Sequence, residues 1–379
     1  MTTLMQASRQ WSSRPKDERY TSLLEMGAKM RSIRDRSRSV VESSRKIELL
    51  PIGDDHKGLA LGMNTGSLAG TVLTPSHYSF GQLCSLASPG NSPASYFRES
   101  RVSSEIICAA LEENLKFRRD VQDVGLLGTL EEDGSNTPYG ELRAATGPNY
   151  GRIWNADVID MLIDKFGDGR TGQFRVPGEF GQQVDITKAN TTLFASDRDM
   201  FVFLADEERR IDVPNRRNGE TGSLARGFFT WNSEVGDKTL GAAFFLFDYV
   251  CCNRIVWGAT EYQEVRIRHT KGAPDKWAEE AIPVLTEFSE GSAKPVMQAI
   301  EQARQAKIEG DLNDFLAKHG FGKKFIDGMR AVHMEEEGRP IETLWDATVA
   351  ATAHARTIPN QDRRVEVERA AGELLKLAA

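Results

Sequence analysis

GFFTWNSEVGDKTLGAAFFLFDYVCCNRIVWGATEYQEVRIRH, residues 227–269, is the most apolar and aromatic part of the chain, and its reading decides the fold. Its composition specifies strands joined by tight polar turns. Residues 228–231 supply a strand, and residues 232–238 a turn carrying Gly236-Asp237. Residues 240–250 are apolar on both faces, as a central strand is. A run of that length is also compatible with a buried helix. Phe244, Phe245, Phe247 and Tyr249 favour the strand. Residues 264–269 alternate, which sends Val265 and Ile267 to the core and Glu264, Arg266 and Arg268 to the other side. Arg254 stands in the turn before Ile255-Val256-Trp257, so several cations are expected on or beside one sheet surface.

Upstream, a hairpin is expected over 191–205 with Ser196-Asp197-Arg198-Asp199 as its turn, and a second over 121–146. Loop 212–222 gains positive charge from Arg216 and Arg217. Short strands fit 58–63 and 70–73, and helices fit 76–88, 103–118 and 155–166. The second helix would bury Ile106, Ile107, Ala110 and Leu115; the third would have Asn155 as its N-cap. Asp157, Asp160 and Asp164 share a face of that third helix and read as a solvated stripe. Beyond Pro274 the texture is helical to the end, with segments at 277–288, 312–319, 323–333, 342–356 and 361–376. The expected class is therefore α+β: a mixed, largely antiparallel sheet body over 47–273 with flanking helices, then an all-helical C-terminal region over 274–379.

The 379 residues are 40% apolar and 27% charged, the balance of a globular chain with a sizeable core. No apolar run approaches the roughly 20 residues of a membrane helix, and residues 1–20 lack a signal-peptide core. A cytoplasmic location and no membrane partner are expected. The net charge of −7 is uneven. Residues 1–46 hold eleven Lys/Arg against five Asp/Glu, leaving +6 there and −13 on the remainder. This segment reads as a weakly ordered basic arm in which Arg34, Arg36 and Arg38 alternate with serines, a composition suited to phosphate contacts. Leu23, Met26, Met30 and Ile33 also fall at helical spacing within it and read as a docking face.

Cofactor chemistry finds little footing. GDGRTG at 167–172 matches GxGxxG, yet it follows a helix and precedes a strand, the reverse of a dinucleotide fingerprint. Gly322-Lys323-Lys324 lacks the remainder of a phosphate loop. Asp54, Asp55 and His56 lie together but read as a solvated turn. Cys84, Cys108, Cys251 and Cys252 form no CxxC pair and read as buried small apolar residues. No cofactor or metal is expected.

NSEVGDKTLGAAFFLFDYVCCNRIVWG, residues 232–258, resembles the phage/plasmid-like family known as domain of unknown function 932. The resemblance is carried by Asn232-Ser233, Gly236, the aromatic run 244–249, Val250 to Asn253, and Val256-Trp257-Gly258. Where the family has Asn-Gly after the cysteine this chain has Asn253-Arg254, which puts a cation in place of a glycine turn. FGQLCSLASPGNSPASYFRE (80–99), ATGPNYGRIWNADVIDML (145–162) and LWDATVAATAHAR (344–356) are similar to further segments of such proteins. The likeness extends over most of residues 70–375. It implies a protein of a phage, plasmid or other mobile element and implies no particular activity.

The function expected first is that of a non-enzymatic accessory protein binding single-stranded DNA in replication, annealing or recombination. Arg254, Arg266, Arg268 and Lys271 would hold phosphates, with Trp257 or Tyr262 stacking bases. Arg216, Arg217 and the arginines of the arm would assist. The acidic body demands a confined groove or a homo-oligomer. A structural, self-assembling or host-interaction protein of a mobile element is the alternative. A metal-dependent nuclease built on Asp54, Asp55, Asp197, Asp199 and His269 comes last, since no ligand spacing supports it. The short helices at 312–319 and 323–333 also permit a helix-turn-helix, though plain packing fits them as well.

Overall fold

A computed structural model describes residues 16–52, 58–117, 123–132, 138–177, 185–214, 216, 219–249, 253–256, 265–358 and 361–378. The chain begins with β1 (Arg19–Tyr20), α1 (Leu23–Arg36), β2 (Ser37–Ser43), β3 (Glu48–Pro51), β4 (Leu59–Gly62) and β5 (Val72–Pro75). Next come α2 (His77–Ala87), α3 (Ala94–Glu99), α4 (Ser104–Phe117), β6 (Asp123–Leu130), β7 (Tyr139–Thr146) and α5 (Asn155–Phe166). A run of strands follows: β8 (Phe174–Arg175), β9 (Leu193–Ala195), β10 (Met200–Asp206), β11 (Ile211–Val213), β12 (Gly222–Asn232), β13 (Leu240–Asp248), β14 (Asn253–Val256) and β15 (Val265–Ile267). The C-terminal helices are α6 (Ala273–Glu290), α7 (Lys294–Gln305), α8 (Leu312–Lys318), α9 (Lys323–Glu337), α10 (Leu344–Ala355) and α11 (Gln361–Leu375).

The class is α+β, with helices at the C-terminus, but the strands form two sheets. The nine-stranded sheet has the order β1-β9-β10-β12-β13-β14, with β8 beside β10, β11 beside β12 and β15 beside β13, and every pairing is antiparallel. The six-stranded sheet runs β2-β6-β7-β5-β4-β3, parallel only between β5 and β7.

The long apolar run is indeed a strand. Every residue of β12 and β13 is buried. Their register places Trp231 opposite Gly241 and Phe245 opposite Gly227. A Cβ on Gly241 would lie 2.1 Å from the Trp231 ring, and one on Gly227 would lie 2.4 Å from the Phe245 ring. The glycines therefore make room for aromatic rings lying across the neighbouring strand.

One face of the large sheet, with Val202, Leu204, Phe228 and Phe244, receives α1, α5 and α6 through Leu23, Met26, Ile159, Leu162, Leu285 and Phe288. Further along the same strands, Ile211, Val213, Leu224 and Leu246 meet Val296, Ile300, Leu344 and Trp345 of the later helices. The other face carries Phe194, Phe203, Phe229, Phe245 and Phe247. On the small sheet, α2 and α4 cover Leu61, Leu73, Leu126 and Leu142.

Three expectations are corrected. Residues 16–46 are no loose arm: β1 pairs with β9, β2 pairs with β6, and α1 buries Leu23, Met26 and Met30 between them. The acidic stripe on α5 is met by cations: Asp157 takes Arg34 at 2.5 Å and Asp160 takes Arg31. On α4 it is Ile107, Leu111 and Leu115 that face the core, while Ile106 is 60% exposed. One residue is about 100° of helix rotation, enough to turn Ile106 away from the stripe.

Candidate functional site at the junction of the two sheets

The turn between β12 and β13, residues 233–238, is the point where the sheets are joined. The opposite partner is a β-bulge. Leu127 pairs with Ala144 and Gly128 with Leu142, so Arg143 has no opposite number on β6. A bulge re-aims the extra side chain, and Arg143 donates to the Glu234 carboxylate at 2.6 Å with both side chains buried. The second Glu234 oxygen accepts the backbone N–H of Asn155 at 2.7 Å. Asn155 was the expected N-cap of α5; the cap position is Trp154 instead, with no side-chain hydrogen bond. An acid from the β12–β13 turn does the capping, which suits the positive end of a helix dipole.

The neighbours of Glu234 are held as firmly. The Asn232 amide donates to the carbonyl of Ile153 and to Asn155 Oδ1, at 2.9 and 2.8 Å. Ser233 Oγ donates to the Arg198 carbonyl at 2.6 Å and accepts from Asp237 N. Tyr150 donates to the Ser233 carbonyl at 2.7 Å, Gln82 to that of Val235 at 2.7 Å, and Arg152 to that of Glu234. Arg152 also lies over the rings of Tyr150 and Trp154. Asn-Ser-Glu is thus a joint, and its serine is engaged as a turn bracket.

Beside the joint, Tyr150 stacks on His269 with centroids 4.8 Å apart, and His269 Nδ1 meets the Gly151 carbonyl at 3.0 Å. Burial lowers the His269 pKa from 6.5, so the ring stays neutral near pH 7. His269 ends the chain leading out of β15. Ile267 is buried there, while Arg266 and Arg268 are exposed, as alternation predicts, and Lys271 past the strand is exposed as well. Arg266 lies opposite Gly241 with its guanidinium 6.0 Å above the Trp231 ring. Arg254 falls on β14 opposite Phe247. It is therefore a strand residue and not part of a turn. Trp257, Tyr262 and Arg217 lie outside the described residues.

The remaining expected phosphate contacts have partners within the chain, though Arg38 stays exposed. Arg216 is buried, with Nη2 2.8 Å from Asp248 and 2.7 Å from Glu337, and it lies over the Trp345 ring. Two carboxylates buried together need that counter-charge. Arg34 binds Asp157; Arg36 donates to the Leu130 carbonyl at 2.9 Å and meets Glu131 at 3.2 Å; Arg38 donates to the carbonyls of Asp35 and Ser37, both at 2.8 Å. Asp197 accepts the Tyr78 N–H at 3.3 Å, and Asp199 accepts from Ser196 Oγ at 2.7 Å. Asp54 and Asp55 lie outside the described residues, among which no group of three His, Cys, Asp or Glu is placed to hold a metal ion. No described helix is long and apolar enough to cross a membrane.

The sequence reading missed Arg143 and Glu234. Their one signal is an arginine inside the otherwise apolar LRAAT of β7. Comparison with known proteins finds no matching family model, no similar curated protein and no similar solved structure.

Proposed function

We propose that the chain binds single-stranded nucleic acid along the edge of the large sheet formed by β14 and β15. The observation that supports this reading is that Arg266, Arg268 and Lys271 stand exposed within six residues of one edge, while Arg216 is buried and Arg34 and Arg36 are half-buried in ion pairs. Arg268 and Lys271 have no ion pair among the described residues. The mode of binding is phosphate attraction to these cations. On a protein of net charge −7 such attraction is local.

The test is fluorescence anisotropy of a labelled oligothymidine across a salt series, with a duplex of equal length beside it. Single-strand binding should weaken with salt. The double variant Arg268→Ala/Lys271→Ala should reduce the log–log salt slope by about 1.4, at about 0.7 per phosphate contact on a single strand. An unchanged slope, or no binding at low salt, sinks the proposal.

Self-association is a second reading, favoured by the small sheet. Its edges are β2 and β3, on which Val41 and Leu50 are 53% and 39% exposed. Apolar edge strands template pairing between chains. Light scattering should show an assembly that Val41→Lys dissociates; a monomer at all concentrations removes this reading.

A further inference from the structure

A cleft of about 660 Å³ opens where α2 and the loop after it face the Ser196–Asp199 turn of the large sheet. We propose that it binds a small organic phosphate with a flat apolar body, of mononucleotide size. This proposal does not depend on the edge-strand reading: neither Arg268 nor Lys271 lines the cleft.

The charge of the lining is the first argument. None of its residues is acidic and two are arginines, Arg98 and Arg198, in a chain whose net charge is −7. Arg198 is exposed and has no ion pair among the described residues. Arg98 is half-buried, lies 5.4 Å from the centre of the Phe80 ring and donates from one nitrogen to the His77 carbonyl. A guanidinium has five N–H donors in a rigid fork suited to phosphate, so a single carbonyl leaves most of that capacity. Asp197, the acid beside Arg198, accepts the Tyr78 N–H.

The shape and stiffness of the cleft are the second argument. Its volume falls within the range of small-molecule sites, about 300–1,000 Å³. Gln82 is fixed at both ends of its amide, donating to the Val235 carbonyl at 2.7 Å and accepting from Ala145 N at 2.9 Å. It offers a rigid wall and is not a flexible reader. Gly81 leaves space for Arg98: a Cβ there would lie 3.3 Å from Arg98 Nη2. Leu86 and Pro89 give apolar surface for a ring. Tyr78 adds a phenol, which burial, and after it Asp237, pushes up to about 12. It remains a neutral donor at physiological pH. Cations with an apolar wall and a phenol donor select a ligand that is anionic at one end and flat at the other.

Titration calorimetry on the full chain with thymidine 5′-monophosphate, thymidine and inorganic phosphate tests this. The monophosphate should bind saturably, and each of the two fragments at least about tenfold more weakly. Arg198→Ala should weaken the monophosphate about tenfold. Ser85→Trp, from an exposed position on the cleft wall, should abolish binding while circular dichroism shows an unchanged fold. Arg268→Ala/Lys271→Ala should leave monophosphate affinity unchanged, which separates this site from the edge strand. Absence of saturable binding at millimolar monophosphate, equal affinity in Arg198→Ala, or equal affinity for either fragment overturns the proposal.

Discussion

On β12 and β13 every residue is buried, and Arg226 and Asp248 among them find ionic partners inside the fold; on the small sheet Arg38, Glu48 and Glu141 reach solvent. Arg226 shows how the sheet places a buried cation, although its Nε finds no hydrogen-bond partner among the described residues. It lies 3.6 Å from Asp206 and donates to the carbonyls of Phe288 and Gly291 at the end of α6, at 3.2 and 2.6 Å. A cation at a helix C-terminus also meets the negative end of the dipole. The small sheet packs its helices on one face and, Glu42 and Arg143 apart, leaves its charges to water. A count of arginines in the sequence therefore says little about how many can meet an outside phosphate. Sheet geometry decides that, by burying the centre and exposing the edge.

The sharpest way to break this contrast is at Arg216. Arg216→Ala leaves Asp248 and Glu337 buried without their counter-charge, and loss of one partner of such a pair costs about 3–5 kcal/mol. Arg38→Ala, on the small sheet, should stay within about 0.5 kcal/mol. Urea denaturation of both variants reads the difference. Equal losses would mean that burial does not separate the two sheets as argued.

The junction falls between these extremes. Glu234→Gln removes the charge facing Arg143 and keeps an oxygen for the Asn155 N–H, so a loss of about 2–3 kcal/mol is expected, below the full cost of a broken buried pair. Arg143→Leu/Glu234→Leu should recover part of that loss, because a buried ion pair replaced on both sides is often neutral. Circular dichroism melts of the single and double variants check the order. A double variant less stable than the sum of the singles would mean that the pair is cooperative with Arg152 and Asn232.

Much of the fold was legible because burial writes itself into composition. The run of residues 240–248 has few polar side chains to place, and the turn at Gly236, with φ 95°, is where glycine is required. The alternation at 265–267 told correctly which side faces out. What could not be read is pairing at a distance. Nothing near Arg216 in the sequence names Asp248, 32 residues on, or Glu337, 121 on. Arg34 and Arg36 looked like free basic residues because their acids lie on α5 and after β6, about a hundred residues away. The bulge that turns Arg143 toward Glu234 arises from the register of two strands, which neither strand encodes alone.

The smallest effect concerns the contact between α1 and α5. Arg34–Asp157 and Arg31–Asp160 join these helices, but both carboxylates and Arg31 are roughly 40% exposed. Water screens such pairs, which are typically worth about 0.2–1 kcal/mol, and Asp157 gains a little more from the first turn of α5. Asp157→Asn should therefore cost under about 1 kcal/mol in low salt, and less at high ionic strength, where exposed pairs are screened. The cores beneath, Met26 and Met30 against Ile159, should hold the helices together regardless. Met30→Ala should cost about 2–5 kcal/mol, as buried Met truncations do, at any salt concentration. A salt-insensitive loss from Asp157→Asn as large as that of Met30→Ala would place the ion pairs, and not the apolar stripe, in charge of docking the first helix.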